Sequence, residues 1–254
     1  MFTVALIGPD GAGKTTISSR LEAELGVPVK SIYMGVNLHS SSVMLPHTRL
    51  LLDLRRRRRG AGSSDLSDIK TEKAPPRTAA GRAGAATRAA LRLTNWLAEE
   101  WYRQAVSAYH TRRGTIVIFD RHFFADYYSE EVGNEVEGRP LSRRIHGFFL
   151  RHLYPRPDLV ICLDAPAEVL FARKPEGSME RLRKKREEYL ELQSAVPESV
   201  VVDAGMPADE VTREVAAIIR AYYEQKRATR PSRLWFTSRS DRLGDADRAR
   251  RRAE

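Results

Sequence analysis

The segment Ala5–Leu25, ALIGPDGAGKTTISSRLEAEL, leaves a chain few ways to fold. A continuous apolar run stops at a glycine-rich turn. A lysine and two threonines follow, and then Ile17, Leu21 and Leu25 recur every four positions. The run reads as a buried strand and the four-residue spacing as one face of a helix. Gly8, Gly13, Lys14 and Thr15 satisfy G-x-x-x-x-G-K-[ST] in the strand–turn–helix setting that gives this motif its meaning. Glycines let backbone N–H groups turn inward toward phosphate oxygens, and the start of the helix adds its positive end. The loop residues Gly8, Asp10, Gly11, Ala12, Gly13, Lys14, Thr15 and Thr16 are therefore expected to cradle a nucleoside triphosphate, with Lys14 on the β/γ-phosphates and the Thr15 hydroxyl on Mg²⁺.

The same alternation continues along the chain. Val29–Gly35, Thr115–Asp120, Asp158–Asp164 and Ser199–Ala204 read as further strands. Helical patterns lie between them, one running from near Ala85 to TRRG with Leu93, Leu97, Trp101, Ala105 and Ala108 as its stripe. Strands alternating with helices predict a mostly parallel sheet covered on both faces. Between the second strand and the long helix periodicity fails, and residues 36–82 are expected to form a mobile basic insertion within a domain spanning 1–227. Residues 228–254 are expected to be a basic, disordered tail.

The net charge of +10 is concentrated in those appendages. Residues 46–92 hold 12 Arg or Lys against 4 acids, and residues 230–254 hold 8 against 4, leaving the rest near −2. Arg55–Arg59 and the tail would supply salt-sensitive contacts to nucleic acid, or to an anionic surface. Arg55–Arg59 carry no interleaved aromatic residue, so a solvated arm is the plainer reading. The single cysteine, Cys162, sits in LVICLD as a core residue and excludes an internal disulfide framework. No basic leader and no membrane-length apolar run is visible, so a cytoplasmic setting is expected.

VIFDRH ends the third strand with Asp120, Arg121 and His122. Strand ends of parallel sheets face the ligand crevice. A carboxylate there can hold the metal shell, and an arginine can clamp an acceptor phosphate. His122 is given no role. No N-K-x-D guanine-reading motif is present, which disfavours a GTPase.

These pieces together resemble the thymidylate kinases. GPDGAGKTT is similar to their phosphate loop, RGTIVIFDRH to their strand ending in Asp-Arg, RPDLVICLDAPAEVLFARK to the run before their lid, and REEYLEL to the end of the lid helix. The resemblance covers roughly residues 2–35 and 85–226. It implies a P-loop NTPase three-layer fold, with a five-stranded parallel sheet, helices on both faces and a short lid. It further implies ATP and Mg²⁺ as cofactors and a nucleoside monophosphate as acceptor, dTMP by default, in nucleotide biosynthesis. Carried over by position, Asp10 faces the acceptor, Thr15 and Asp120 lie at the metal, Arg121 grips the acceptor phosphate, and Arg173 neutralises the moving phosphoryl group. Lys174 and Arg181 are further lid candidates, and relatives imply a homodimer.

The departures lie where the acceptor would be read. YMGVNLHSSS stands where the family has an Arg-Glu-Pro-Gly-Gly-like loop, the base-side arginine falls on Glu99, and Ala125 and Glu130 stand where a serine and a glutamine are usual. Arg92 and Arg103 are near Glu99 without matching. Phe123, Phe124, Tyr127 and Tyr128 would either stack a base or pack the core. Three functions remain in view: a kinase of dTMP or another small acceptor, a nucleic-acid-stimulated ATPase, and a regulatory module that binds nucleotide without turnover.

Overall fold

A computed structural model of the chain describes residues 1–35, 41, 43–59, 79–122, 141–175, 177–194, 196 and 198–229. Five strands form one sheet: β1 (Thr3–Ile7), β2 (Val29–Tyr33), β3 (Ile116–Asp120), β4 (Leu159–Asp164) and β5 (Ser199–Asp203), in the order β2-β3-β1-β4-β5. Every pairing is parallel. The helices are α1 (Lys14–Leu25), α2 (Pro46–Arg59), α3 (Ala79–Arg112), α4 (Leu141–His152), α5 (Ala167–Arg173), α6 (Met179–Ser194) and α7 (Ala208–Thr229). Parallel sheets need both faces covered, which is why β1, β3 and β4 read as unbroken apolar runs. Val4, Leu6, Val117, Ile118 and Ile161 are fully buried. Cys162 is buried in β4 as expected; burial, together with Asp164, pushes its thiol up to about 12.

Register decides which loops meet. Leu6 pairs with Asp120, Ile7 with Cys162 and Tyr33 with Asp120. The carboxyl ends of β1, β2, β3 and β4 therefore open on one side of the sheet, where α/β folds bind their ligands. This is the three-layer P-loop α/β fold.

Two expectations need correction. Part of residues 36–82 is regular: α2 occupies Pro46–Arg59, and α3 begins at Ala79 rather than near Ala85. Pro46 takes the first helical position, where its missing N–H costs nothing. Arginine and alanine are strong helix formers, so both segments are helical without an apolar stripe. The start of α2 is tied to α3: both Glu99 carboxylate oxygens accept the Leu45 N–H at 3.1 Å, and His47 Nε2 lies 2.7 Å from Asn95 Oδ1. Residues 36–40, 42, 60–78 and 230–254 lie outside the described residues.

The second correction concerns the inner face of α3. Trp101 and Ala105, read as part of its stripe, are exposed. The buried side chains are Glu99, Glu100, Arg103, Gln104 and Ser107. Glu100 accepts hydrogen bonds from Tyr154 Oη at 2.6 Å and from His146 Nε2 at 2.9 Å, with His146 stacked on Trp96 at 3.9 Å.

The chain divides into two units, Met1–Ala216 and Ala217–Glu254. The first carries all five strands. The described part of the second is the remainder of α7, where Lys226 lies 5.3 Å over the Tyr222 ring. No described helix is long and apolar enough to cross a membrane.

Tyr154→Phe removes one of the donors to the buried Glu100 carboxylate and is expected to cost about 1–3 kcal/mol. Urea unfolding at neutral pH measures this, and an unchanged midpoint would show that the carboxylate is satisfied without the phenol.

Candidate active site

The glycine-rich loop is shaped by close backbone approach. Gly8 (φ 137°) and Gly11 (φ 88°) occupy left-handed backbone. A Cβ on Gly8 would lie 2.3 Å from the Leu163 carbonyl oxygen, and one on Gly11 2.5 Å from that of Leu170. The loop is thus pressed against β4 and α5, and only glycine fits at these two positions. Helix α1 follows with Gly13 as its N-cap and no side-chain cap. Its first N–H groups have no intrahelical partners, and they point where the helix dipole favours an anion.

Lys14 is buried within this turn. Its Nζ donates to the carbonyls of Gly8 at 2.6 Å and Pro9 at 2.7 Å. A buried ammonium held by neutral carbonyls is poised for a stronger anionic partner. Thr15 Oγ1 donates to Asp120 Oδ2 at 2.7 Å. The other oxygen, Asp120 Oδ1, is buried and has no hydrogen-bond partner among the described residues.

Arg121 follows in left-handed backbone (φ 66°), an uncommon conformation for a residue with a side chain. Its own N–H bonds the Leu6 carbonyl at 3.2 Å, so pairing with β1 holds the turn. Arg121 Nη2 meets Asp10 Oδ1 at 2.5 Å. Burial raises the Asp10 pKa, but the charge and hydrogen bond of Arg121, with the charges of Lys14 and Lys174, outweigh it and hold the carboxyl below its ordinary value. Asp10, Lys14, Arg121 and Lys174 therefore form one electrostatic cluster.

The other lid candidates fall elsewhere. Arg173 donates through Nη1 to the Ala204 carbonyl at 2.6 Å and through Nη2 to that of Gly205 at 3.2 Å. For Arg173 to reach a phosphoryl group, those bonds would have to break. Arg181 heads the first turn of α6, its N–H on Ser178 Oγ at 3.3 Å. The residue tying α6 to the sheet is Arg186, which sequence reasoning missed. Its guanidinium forks onto the Asp164 carboxylate at 2.6 and 2.8 Å. Arg186 lies in the quoted REEYLEL segment, and Asp164 ends LVICLD, so the signal was a pair of charges far apart in sequence. Glu99 is engaged with Leu45, as described. Arg103 is buried and donates to the Gly35 carbonyl at 3.2 Å. Phe123, Phe124, Ala125, Tyr127, Tyr128 and Glu130 lie outside the described residues.

A cavity of about 500 Å³ opens between α2, α3 and β2, lined by Lys30, Met44, Arg49, Tyr102 and His110 among others. It contains none of the cradle residues. No group of three or more His, Cys, Asp or Glu side chains that could hold a metal occurs among the described residues.

The fold and loop together define a P-loop α/β protein with a second polar cluster at the adjoining strand end. No protein-family model matches the chain. Over 121 residues it is 30% identical to a probable thymidylate kinase of Archaeoglobus fulgidus, a match spanning 45% of this chain and 58% of that one. Over 116 residues it is 34% identical to a probable thymidylate kinase of Pyrobaculum calidifontis, spanning 42% and 55%. The chain thus spans just over half the length of the curated relatives it matches. A solved structure of deoxyadenosine kinase from M. mycoides, with products dCMP and a flexible dCDP bound, aligns with a TM-score of 0.47 at 15% identity, over 87% of this chain and 99% of that one. At that level the structural likeness carries no argument; the sequence similarity to thymidylate kinases stands on the two relatives.

Two outcomes follow. Gly11→Ala forces a Cβ into the Leu170 carbonyl and is expected to weaken whatever nucleoside triphosphate binding the loop supports by about tenfold or more, read by calorimetric titration. His122 is fully buried, and burial lowers its pKa to about 3. The unfolded chain, with an ordinary value near 6.5, then binds the proton more readily, so this contribution is present above about pH 6.5 and is lost as pH falls toward 3. Between pH 7.5 and pH 5 the loss from His122 is about 2 kcal/mol. Urea unfolding of the native chain and His122→Asn at both pH values checks this; an equal acid loss in both would exclude His122 as the source.

Proposed function

We propose that the protein is an ATP-dependent phosphotransferase of thymidylate kinase-like type, moving the γ-phosphoryl group of ATP to a nucleoside monophosphate. The observation that carries this reading is the pairing of two half-sites at one edge of the sheet. One is the Gly8–Thr15 cradle with buried Lys14; the other is Arg121 bonded to Asp10, one residue beyond the Thr15–Asp120 hydrogen bond. The two curated relatives named as thymidylate kinases support the reaction class.

In this reading Lys14 leaves the Gly8 and Pro9 carbonyls for the β/γ-phosphates. The residues present fit Mg²⁺: Asp120 Oδ1 is a buried carboxylate oxygen with no described partner, beside the Thr15 hydroxyl. Two such protein oxygens suit an ion that takes its remaining ligands from phosphate and water. When bound, the ion would neutralise charge on the phosphate oxygens. Arg121 grips the acceptor phosphate, and Asp10 orients the guanidinium until the acceptor arrives. Such a transition state needs little covalent help, so positioning and positive charge supply most of the barrier reduction. Closure of the segment after α5 would exclude water, with Arg173 reaching the phosphoryl group only once its carbonyl bonds are released. A cytoplasmic setting and a homodimer belong to the same proposal.

dTMP is the default acceptor. One observation favours a different one on the same fold: Glu99, at the position of the relatives' base-side arginine, is spent on the Leu45 N–H. ADP release from ATP·Mg²⁺ across a panel of nucleoside monophosphates and nucleosides tests the reading. Turnover should depend on an acceptor. Lys14→Ala should lower kcat about 100-fold or more, and Arg121→Ala should raise the acceptor KM about tenfold or more. ATP hydrolysis stimulated by nucleic acid and indifferent to every small acceptor would overturn the proposal, as would ATP binding with no turnover.

A further inference from the structure

The cavity of about 500 Å³ between α2, α3 and β2 takes no part in the site described above. Lys30, the second residue of β2, lines it. The residue of β2 that pairs with Asp120 is Tyr33, three positions further on. At about 3.3 Å per residue, Lys30 lies roughly 10 Å along the strand from the edge that carries the phosphate loop. His110, near the end of α3, lines the same space, and its carbonyl accepts the Thr115 N–H at 3.1 Å just before β3 begins. The cavity therefore extends toward the amino edge of the sheet, away from Thr15 and Asp120.

Its lining is mixed in a definite way. Lys30 from β2, Arg49 from α2 and His110 from α3 are basic, and Asp53 is the one acid among the described lining residues. Tyr102, two turns before His110 on α3, adds an aromatic ring, while Met44 and Val106 add apolar surface. Lys30 is half-buried, and its ammonium has no hydrogen bond or ion pair among the described residues; the same holds for the Tyr102 hydroxyl. Close-packed interiors leave few voids larger than a water molecule. Here three elements leave a space within the range of about 300–1,000 Å³ that small-molecule sites occupy, with an ammonium, a phenol and an apolar wall around it.

We propose that this cavity is a second ligand site, for a small organic anion with a flat apolar or aromatic body. The anionic group pairs with the Lys30 ammonium, and Arg49 and His110 favour the same sign of charge. The body packs against the Tyr102 ring, Met44 and Val106. A cation would face the three basic groups, and an uncharged molecule would leave the half-buried ammonium unpaired, so charge and shape select together. The volume admits one molecule of mononucleotide size and no polymer. The site uses no residue of the phosphate loop or of the Asp120–Arg121 turn, so it stands apart from the phosphotransferase reading.

The probe is anilinonaphthalene sulfonate, an aromatic monoanion that fluoresces when shielded from water. It is titrated into the full chain at neutral pH, with and without excess ATP·Mg²⁺. One saturable site indifferent to ATP·Mg²⁺ is expected. Lys30→Met, which removes the partner of the sulfonate, should weaken binding about tenfold or more. Val106→Trp, which fills the cavity with an indole, should abolish it. N-phenylnaphthylamine, the same body without the sulfonate, should bind the native chain about tenfold more weakly, and Lys30→Met should remove that preference. Lys30 lies on an edge strand and is only half-buried, so Lys30→Met is expected to fold, and urea unfolding checks both variants. If Val106→Trp does not fold, the ratio of the charged to the uncharged probe in Lys30→Met decides. Absence of saturable binding, displacement of the probe by ATP·Mg²⁺, unchanged affinity in the folded variants, or equal binding of the two probes to the native chain overturns the proposal.

Discussion

The hydrogen bond from Thr15 to Asp120 is the contact on which the site depends. It joins the first turn of α1 to the last residue of β3, across 105 residues of sequence. Asp120 also accepts the Met34 N–H through its backbone carbonyl, and the next residue bonds the Leu6 carbonyl. One position thus fixes the phosphate loop, the end of β2 and the turn that aims Arg121. Its carboxylate is buried with one oxygen unengaged among the described residues. Such a group is costly to keep in a core.

Around that contact the polar groups are held by backbone as much as by one another. Lys14 rests on two carbonyls of its own loop, Arg173 on two carbonyls beyond β5, and Arg103 on one beyond β2. A backbone carbonyl is a neutral acceptor, and a cation's hydrogen bond to it is weaker than one to a charged oxygen. Arg121 with Asp10 and Arg186 with Asp164 are different, since each is a charge pair. The first holds Arg121 against the phosphate loop. The second anchors α6 to the end of β4, and so sets where the segment between α5 and α6 begins and ends.

How much of this was legible depended on range along the chain. The strands were read within a residue or two of their ends, because parallel strands buried on both faces are continuous apolar runs. The loop was legible because its glycines, lysine and threonine are consecutive and each has a local reason. The long helix was read correctly as a helix, but only part of its buried face was legible. Leu97 of the visible stripe packs against the core, whereas Trp101 and Ala105 are exposed and Glu99, Glu100, Arg103 and Gln104 are buried. Apolar periodicity finds helices that bury hydrocarbon; it cannot find a face that buries charge against partners such as Tyr154, His146 and the Leu45 N–H. Helix α2 escaped for a related reason, since its helicity rests on intrinsic propensity and on ties to Glu99 and Asn95.

The sequence by itself determined the alternation of strands and helices, the phosphate cradle, and the Asp120–Arg121 pair at a strand end. Each of these is a short-range pattern whose chemistry lies in neighbouring residues. The tertiary structure alone decided which polar groups meet. It set Asp10 on Arg121, Arg186 on Asp164, Glu99 on Leu45 and Arg103 beside Gly35. Those pairings depend on strand order and register, which bring chain ends tens of residues apart to one edge, and no local pattern encodes that distance.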